Sequence, residues 1–493
     1  MILSLLIDLY VVLAASLLIG GAVSIAVSRL LGVEISLARN ISRVILVILL
    51  IYLVLVIPYI ASGDYVSVGL FSFLRGIDWV FVVIVLAVLL SGFIVVSSYP
   101  EDLGDIVFVL SVTLVGILGS MLMTISIDPV AIIVSWALLS ISSYSIIALF
   151  RDPDSLDASS RYIVVGVVAS QFLLFGLGFF ILSSLASPVS ITGSVVSRDY
   201  VLVSMMLSVV MLLVAIGFKL GSAPFHFWLP DVYGRASPYA IAAIAGVIKI
   251  GLVGLLLRLA MYYSGYDLFV YSVILLSLLS MLIGSLTPLT QRNIQRIMAF
   301  SSINHVGFIL IGVAVISIVY RLGVYAYTAA LFALVGVLLH VLAYSLSKSS
   351  MFVLIGFMRR VYGSADLSVV SLSSEKPGLL KFSTVIHLAN LIGVPPLPGF
   401  WGKLFIFLSA TYNDPRLYIG SVPWLALLGV IASVISVFYY LNIIRAVSLE
   451  TSPLSKDRSS GSPRDLVYPY ISSILVIVIG LIAPLIYVYA RFI

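Results

Sequence analysis

The chain has 493 residues, of which 62% are hydrophobic and 9% charged, with a net charge of +6 and a mean hydropathy of +1.26. A soluble domain carries about 25% charged residues, so this composition excludes a soluble globular protein and points to a polytopic membrane protein. With no cysteine and four histidines, the chain also excludes a disulfide frame, cysteine-ligated iron–sulfur clusters and thiolate metal sites.

A helix crosses the hydrocarbon core in about 20 apolar residues. On that ruler the chain is all-α, with fourteen predicted spans. The first opens at "MILSLLIDLY", which lacks a basic leader region and a small-residue cleavage site, and is read as a membrane helix over 5–28. Spans over 42–62, 77–98, 106–126, 128–150, 162–185 and 201–228 follow. The rest cover 239–262, 268–288, 297–319, 324–357, 380–411, 421–447 and 467–490. The eleventh is too long for one straight crossing and is expected to tilt, kink or run past the membrane.

Loops on one side hold sixteen Lys and Arg, among them Arg161, Arg235, Arg359 and Arg360. Those on the other side hold six: Arg75, Arg198, Arg258, Arg321, Arg416 and Arg491. That asymmetry makes the first side cytoplasmic and puts both termini outside. The polar stretch "ETSPLSKDRSSGSPRD" (450–465) reads as a solvated cytoplasmic loop. The organisation expected is one membrane domain: spans 1–3 (1–105), a first repeat (106–262), a second (268–447), and a loop with the last span (448–493).

The loops leave four of the 26 basic residues unplaced: Lys219, Lys249, Lys348 and Lys403, all inside predicted spans. A lysine at the centre of a membrane helix costs roughly 2.5–3.5 kcal/mol, and nothing in folding calls for four. Lys249, in "AIAAIAGVIKIGLVGLLL", lies mid-span between apolar flanks and cannot snorkel to an interface. Lys348 sits where snorkelling is open to it.

Two spans carry helix breakers. Gly221 and Pro224 follow Lys219 in the seventh, and "LIGVPPLPGFWGKLFIF" places Pro395, Pro396, Pro398 and Gly399 just before Lys403 in the twelfth. Proline removes a backbone donor and clashes with the preceding turn. Irregular backbone at membrane depth needs protein or water to satisfy it, so a broken helix in each half points to a repeat-built transporter with a mid-membrane site. Lys219 is expected at the C-terminal end of one half-helix, among carbonyls that attract a cation. Lys403 is expected near the N-terminus of another, where the field repels it.

The histidines fit between the lysines. His226 comes seven residues after Lys219. His340, Tyr344 and Lys348 recur at i, i+4 and i+8 on one helix face. His305, in "FSSINHVGFILIG", has Ser301, Ser302 and Asn304 beside it. Neutral histidine both donates and accepts, so the set reads as a proton-handling polar axis. His387 reads as a hydrogen-bonded core residue.

"GFKLGSAPFHFWLPDVYGRASP", "GVIKIGLVGLLLRL", "RNIQRIMAFSSINHVGFILIG" and "LIGVPPLPGFWGKLFIF" together resemble the proton-conducting membrane subunits of respiratory complex I. They also resemble relatives of those subunits in Mrp-type cation/proton antiporters and membrane-bound hydrogenases. "SVISVFYYLNIIRAV" is similar to the N-type subunit in particular. The resemblance implies fourteen helices with inverted repeats in spans 4–8 and 9–13, broken at spans 7 and 12. It implies a subunit of a redox-driven proton pump, an NADH-, ferredoxin- or deazaflavin-dependent oxidoreductase, in a prokaryotic plasma membrane. No cofactor is implied in this chain; iron–sulfur clusters and a quinone or similar acceptor belong to partner subunits. Lys219, Lys249 and Lys403 would be the relay lysines, with Lys403 on the exit side and His226 and His305 connecting them. The sequence departs from the family pattern at Ala137, where a helix-5 acid is usual, at Arg161, where lysine is common, and at Tyr344, where relatives carrying Lys348 have histidine. The competing readings are an antiporter subunit moving Na⁺ against H⁺, a stand-alone permease, and a non-conducting scaffold subunit.

Overall fold

The computed structural model describes residues 2–30, 34–61, 79–102, 105–126, 128–185, 198–372, 377–448 and 463–490. Most of the polar loop 450–465 lies outside the described residues, as do Arg75 and Arg491. The described chain is helical: α1 (Ile2–Leu30), α2 (Ile35–Ala61), α3 (Trp79–Ser98), α4 (Ile106–Ile125), α5 (Pro129–Leu149) and α6 (Pro153–Leu185). There follow α7 (Arg198–Leu220), α8 (Trp228–Arg235), α9 (Pro238–Gly246), α10 (Gly251–Tyr262), α11 (Asp267–Leu286) and α12 (Ile294–Val319). The last six are α13 (Tyr327–Tyr362), α14 (Leu367–Leu372), α15 (Gly378–Ile392), α16 (Pro398–Ser409), α17 (Trp424–Ser448) and α18 (Val467–Ala490).

Among the described residues, thirteen helical stretches are long and apolar enough to cross a membrane. The interrupted α15–α16 pair supplies the fourteenth expected crossing. Local sequence sets many helix ends. Asp128 caps α5 by accepting from the amides of Val130 and Ala131, with Pro129 in the first turn. Asn293 caps α12 through the Arg296 amide.

The three spans expected to be irregular turn out differently from one another, and a fourth joins them. The seventh does not break in its middle: α7 runs 23 residues and stops at Leu220, and a turn leads to the eight-residue α8. The twelfth divides into 15- and 12-residue pieces. Each interruption starts at a left-handed glycine, Gly221 (φ 75°) and Gly393 (φ 92°), a conformation that side chains resist. The eighth span, expected to be continuous, carries a 3₁₀ turn at Ile248–Ile250 between α9 and α10. There the Ser120 hydroxyl accepts from the Gly251 amide (2.9 Å) and donates to the Val247 carbonyl (3.0 Å). A side chain inserted into the helical ladder in this way is a recognised cause of a helix break. The eleventh span stays one unbroken 36-residue helix, α13, about 54 Å long at 1.5 Å per residue.

This long α13 is the spine of the molecule, packed against α3, α9, α12, α15, α16 and α18. On one side α4 packs on α5, α5 on α6, α6 on α7 and α8, and α10 returns to α4. The same order recurs on the other: α11 on α12, α12 on α13, α13 on α15 and α16, with α17 returning to α11. Asn390 ties the α15–α16 interruption together. Its side-chain oxygen accepts from the Gly399 amide (2.8 Å), and its side-chain amide donates to the Ala343 carbonyl (3.0 Å) and the Ser347 hydroxyl (2.7 Å). A Cβ at Gly399 would overlap the Asn390 carbonyl, so only glycine lets the two pieces meet.

Near α8, Asp157 and Arg161 of α6 and Asp231 and Arg235 of α8 close a four-membered ion-pair ring with contacts of 2.9–3.3 Å. The ring clamps the segment after the α7 break onto α6. Replacing Asn390 by Leu strands several buried partners at about 1–3 kcal/mol each. The expected outcome is a thermal midpoint of the purified protein lowered by about 2 °C or more, read by a scanning unfolding measurement.

Candidate functional site: a buried lysine and histidine axis

All four lysines are buried: Lys348 is 0% exposed, Lys219 3%, Lys249 4% and Lys403 4%. None snorkels, Lys348 included. An ammonium brings three N–H donors, and the acceptors that meet them differ from one lysine to the next.

Lys348 begins the longest connected path. Its Nζ donates to the Met298 carbonyl and to the Ser301 hydroxyl, both at 2.7 Å. Ser301 meets the Tyr440 hydroxyl of α17. Tyr440 in turn lies 3.0 Å from His305 Nε2, and His305 Nδ1 lies 3.0 Å from His340 Nε2. Lysine, hydroxyl, hydroxyl, imidazole and imidazole thus form an unbroken hydrogen-bonded chain across α12, α13 and α17. His340, Tyr344 and Lys348 do share one face of α13, the face turned to α12. The His340 Nδ1, the Tyr344 and Tyr439 hydroxyls and the Asn304 amide are buried beside this chain without a hydrogen-bond partner.

Lys249 sits on the 3₁₀ turn between α9 and α10. Its Nζ donates to the Leu220 carbonyl at 3.3 Å, the last residue of α7. A helix end leaves its final carbonyls without internal donors, and Lys249 fills one of them. The Tyr344 ring lies between two amines, 5.9 Å from Lys249 Nζ and 5.7 Å from Lys348 Nζ.

Lys403 satisfies all three donors: the Leu391 and Ile392 carbonyls at 2.9 Å each and the Ser433 hydroxyl at 3.0 Å. The sequence placed this lysine near a helix N-terminus. Its side chain instead reaches back across the break to the C-terminal carbonyls of α15, the end of a helix that attracts a cation. Phe308 packs against both the histidine pair and this lysine, with Lys403 Nζ 4.9 Å from its ring centre and the His340 ring centre 6.0 Å from it.

Lys219 stands in the last turn of α7 as expected, but among the described residues its Nζ meets no carbonyl; it donates to the Ser140 hydroxyl (3.0 Å) and weakly to the Tyr144 hydroxyl (3.4 Å). None of the ion pairs among the described residues includes it. Ala137 is exposed, whereas Trp136, Ser140 and Tyr144 of the same helix all reach Lys219.

His226 is the candidate the structure does not bring in. It sits half-buried in the turn between α7 and α8, and its Nδ1 has no partner and no link to a lysine. Pro224 and the turn carry it off the α7 face that the seven-residue spacing assumed. His387 bonds Ser347, Ser473 and the Pro469 carbonyl within α13, α15 and α18. Sequence reasoning missed Tyr440, Ser120 and Ser433. The signal for Tyr440 lay in α12, where Ser301 and His305 four residues on put two polar heads on one buried face, which demands a polar partner opposite. No group of three or more His, Asp or Glu side chains gathers among the described residues. The only buried carboxylate among them is Asp105, paired with Arg29 and Arg151.

Residues 126–436 match the family described as NADH:quinone oxidoreductase/Mrp antiporter, transmembrane. The NADH-quinone oxidoreductase subunit N of Desulfitobacterium hafniense is 31% identical over 377 residues, covering 75% of this chain and 74% of that one. The subunit N of Rhodospirillum rubrum is 32% identical over 378 residues, covering 74% and 72%. A chain of respiratory complex I from Thermus thermophilus superposes with a TM-score of 0.75 at 23% identity, over 96% of this chain and 98% of that one. A chain of the archaeal membrane-bound sulfane sulfur reductase gives 0.76 at 19%, over 98% and 96%.

Tyr440→Phe keeps the ring and removes the hydroxyl that joins Ser301 to His305. The expected outcome is a proton flux through vesicles holding the assembled protein that falls by about ten-fold or more, measured with an interior pH dye.

Proposed function

The chain belongs to the NADH:quinone oxidoreductase/Mrp antiporter transmembrane family, and from that premise we propose that it is a proton-translocating membrane-arm subunit of a complex I-like quinone oxidoreductase. The observation that carries this reading is the chain Lys348–Ser301–Tyr440–His305–His340, buried and hydrogen-bonded throughout. Each member can hold or pass a proton, and hydroxyl and imidazole do both. Lys249 supplies one end across the Tyr344 ring, and Lys403 takes the proton at the other, across Phe308. The unpartnered polar atoms at Tyr344, Asn304 and His340 suit bridging water at those two gaps.

An exchange of Na⁺ for H⁺ fits less well. A hard cation wants several oxygen ligands, usually carboxylates, and the one buried carboxylate among the described residues is held by two arginines at the end of α4. A scaffold role without conduction gives no reason for Lys219 and Lys348, whose amines fill no carbonyl at an interrupted helix end.

On this reading the chain holds no redox centre; iron–sulfur clusters and the quinone site reside in other subunits. α4–α10 and α11–α17 are the two repeats of inverted topology, with α1–α3 before them and α18 after. On the same reading the protein sits in the plasma membrane of a prokaryote with both termini outside, an orientation that the loop-charge asymmetry supports.

Gentle extraction of native membranes, isolation of this chain and mass spectrometry of what accompanies it test the assignment. Iron–sulfur and quinone-site subunits are expected in the complex. Recovery of small membrane subunits alone, with no redox protein, would contradict it in favour of an antiporter assembly.

A further inference from the structure

Lys219 differs from the other three lysines in having neither a backbone carbonyl nor a carboxylate on its amine. What surrounds it is aromatic. Its Nζ lies 4.7 Å from the Tyr144 ring centre, 5.1 Å from that of Tyr162 and 5.8 Å from that of Trp136. The ring faces carry negative charge density and attract a cation by about 2 kcal/mol or more when water is excluded. Trp136, Tyr162 and Lys219 are each only 3% exposed, and Tyr144 is half-buried.

The rings are fixed by contacts of their own. Trp136 Nε1 donates to the Ser170 hydroxyl at 2.9 Å, which turns the indole toward the lysine. Tyr144 and Tyr162 meet edge to face, with ring centres 4.8 Å apart at 85°. Trp228, from the segment after the α7 break, stacks on the back of Tyr162 at 4.5 Å. A Cβ at Gly166 would overlap the Tyr144 hydroxyl, so that glycine makes the room in which Tyr144 stands. Three rings from α5 and α6, a hydroxyl at Ser140 and a small residue placed to admit them make a built seat for an ammonium group.

We propose that Trp136, Tyr144 and Tyr162 form an aromatic cage that holds the protonated amine of Lys219 where an acidic partner would otherwise be needed. They are positioning residues, acting through the lysine, and the inference rests on the relay reading above. A neutral cage lets the proton leave without separating an ion pair. Because Trp228 backs Tyr162, the cage also joins Lys219 to the segment beyond the break.

The test uses the intact complex in sealed vesicles and reads protons moved per electron transferred. Lys219→Met comes first: a lost ratio shows the lysine is used, and an unchanged one overturns the cage while leaving the path from Lys249 to Lys403 standing. With Lys219 in place, Trp136 is replaced by tryptophans bearing one to four ring fluorines, which keep its shape and drain its face of charge. The cage predicts a stepwise fall with fluorine number, to about one-fifth of the starting ratio at full substitution. Tyr144→Phe, which keeps the ring and removes only the weak 3.4 Å acceptor, should lower the ratio less than Tyr144→Leu does. Tyr144→Leu should lower it about five-fold, and Ser140→Asp, a carboxylate beside Nζ, should restore it. A ratio indifferent to fluorine number, or a Tyr144→Leu loss that Ser140→Asp leaves uncorrected, would overturn the cage while leaving Lys219 in the relay.

Discussion

A buried ammonium needs acceptors, and an interrupted helix leaves carbonyls that need donors; in this protein each answers the other. Lys249 donates to the last carbonyl of α7, and Lys403 to the last carbonyls of α15. Removing either lysine would strand an acceptor in a dry interior, and closing either helix would strand a lysine. Each break is therefore matched to a charge, and losing the lysine costs about 1–3 kcal/mol for the acceptor it strands. The left-handed glycines at 221 and 393, the Asn390 brace and the ion-pair ring on α8 all serve to hold the irregular backbone in place around them.

Between these points the molecule alternates hydrogen-bonded segments with aromatic rings. Tyr344 stands between Lys249 and Lys348, and Phe308 between His340 and Lys403. Within a segment a proton can pass along existing hydrogen bonds, whereas at a ring its passage needs rearrangement or water. The unbroken α13 contributes to the segment and to the ring at Tyr344 alike, so a small displacement of this spine alters both. Ser120, holding the 3₁₀ turn beneath Lys249, connects that lysine to α4.

The number of crossings and the four lysines could be read from the sequence because both are properties of composition along the chain. An apolar window of 20 residues and a charge inside it need no knowledge of neighbours. The α15–α16 break was equally legible, written in three prolines and a glycine. The turn at Lys249 was not, since Gly246 and Gly251 merely permit it and the hydroxyl that opens the ladder comes from Ser120, more than a hundred residues away. Helix-dipole reasoning put Lys219 in the last turn of α7 and Lys403 near the start of α16, where both stand, but missed the partners of their amines for a single reason. A lysine side chain reaches about four bonds beyond its Cβ, so its amine answers to the acceptors it can touch and not to the helix it stands on. His226 failed because a spacing counted along a helix loses meaning past a proline. Tyr440 was hidden among aromatic residues whose usual business is packing, and only its partners on α12 give its hydroxyl a purpose.

The account turns on whether the lysine at the α9–α10 break carries protons or only fills a carbonyl. The most direct measurement is the number of protons moved per electron by the whole complex carrying Lys249→Met, in sealed vesicles with electron transfer monitored in parallel. Normal assembly and continuing electron transfer are expected on this account, with fewer protons moved per electron. An assembled variant that pumps with an unchanged ratio would contradict it and leave the lysine as a structural peg in a broken helix.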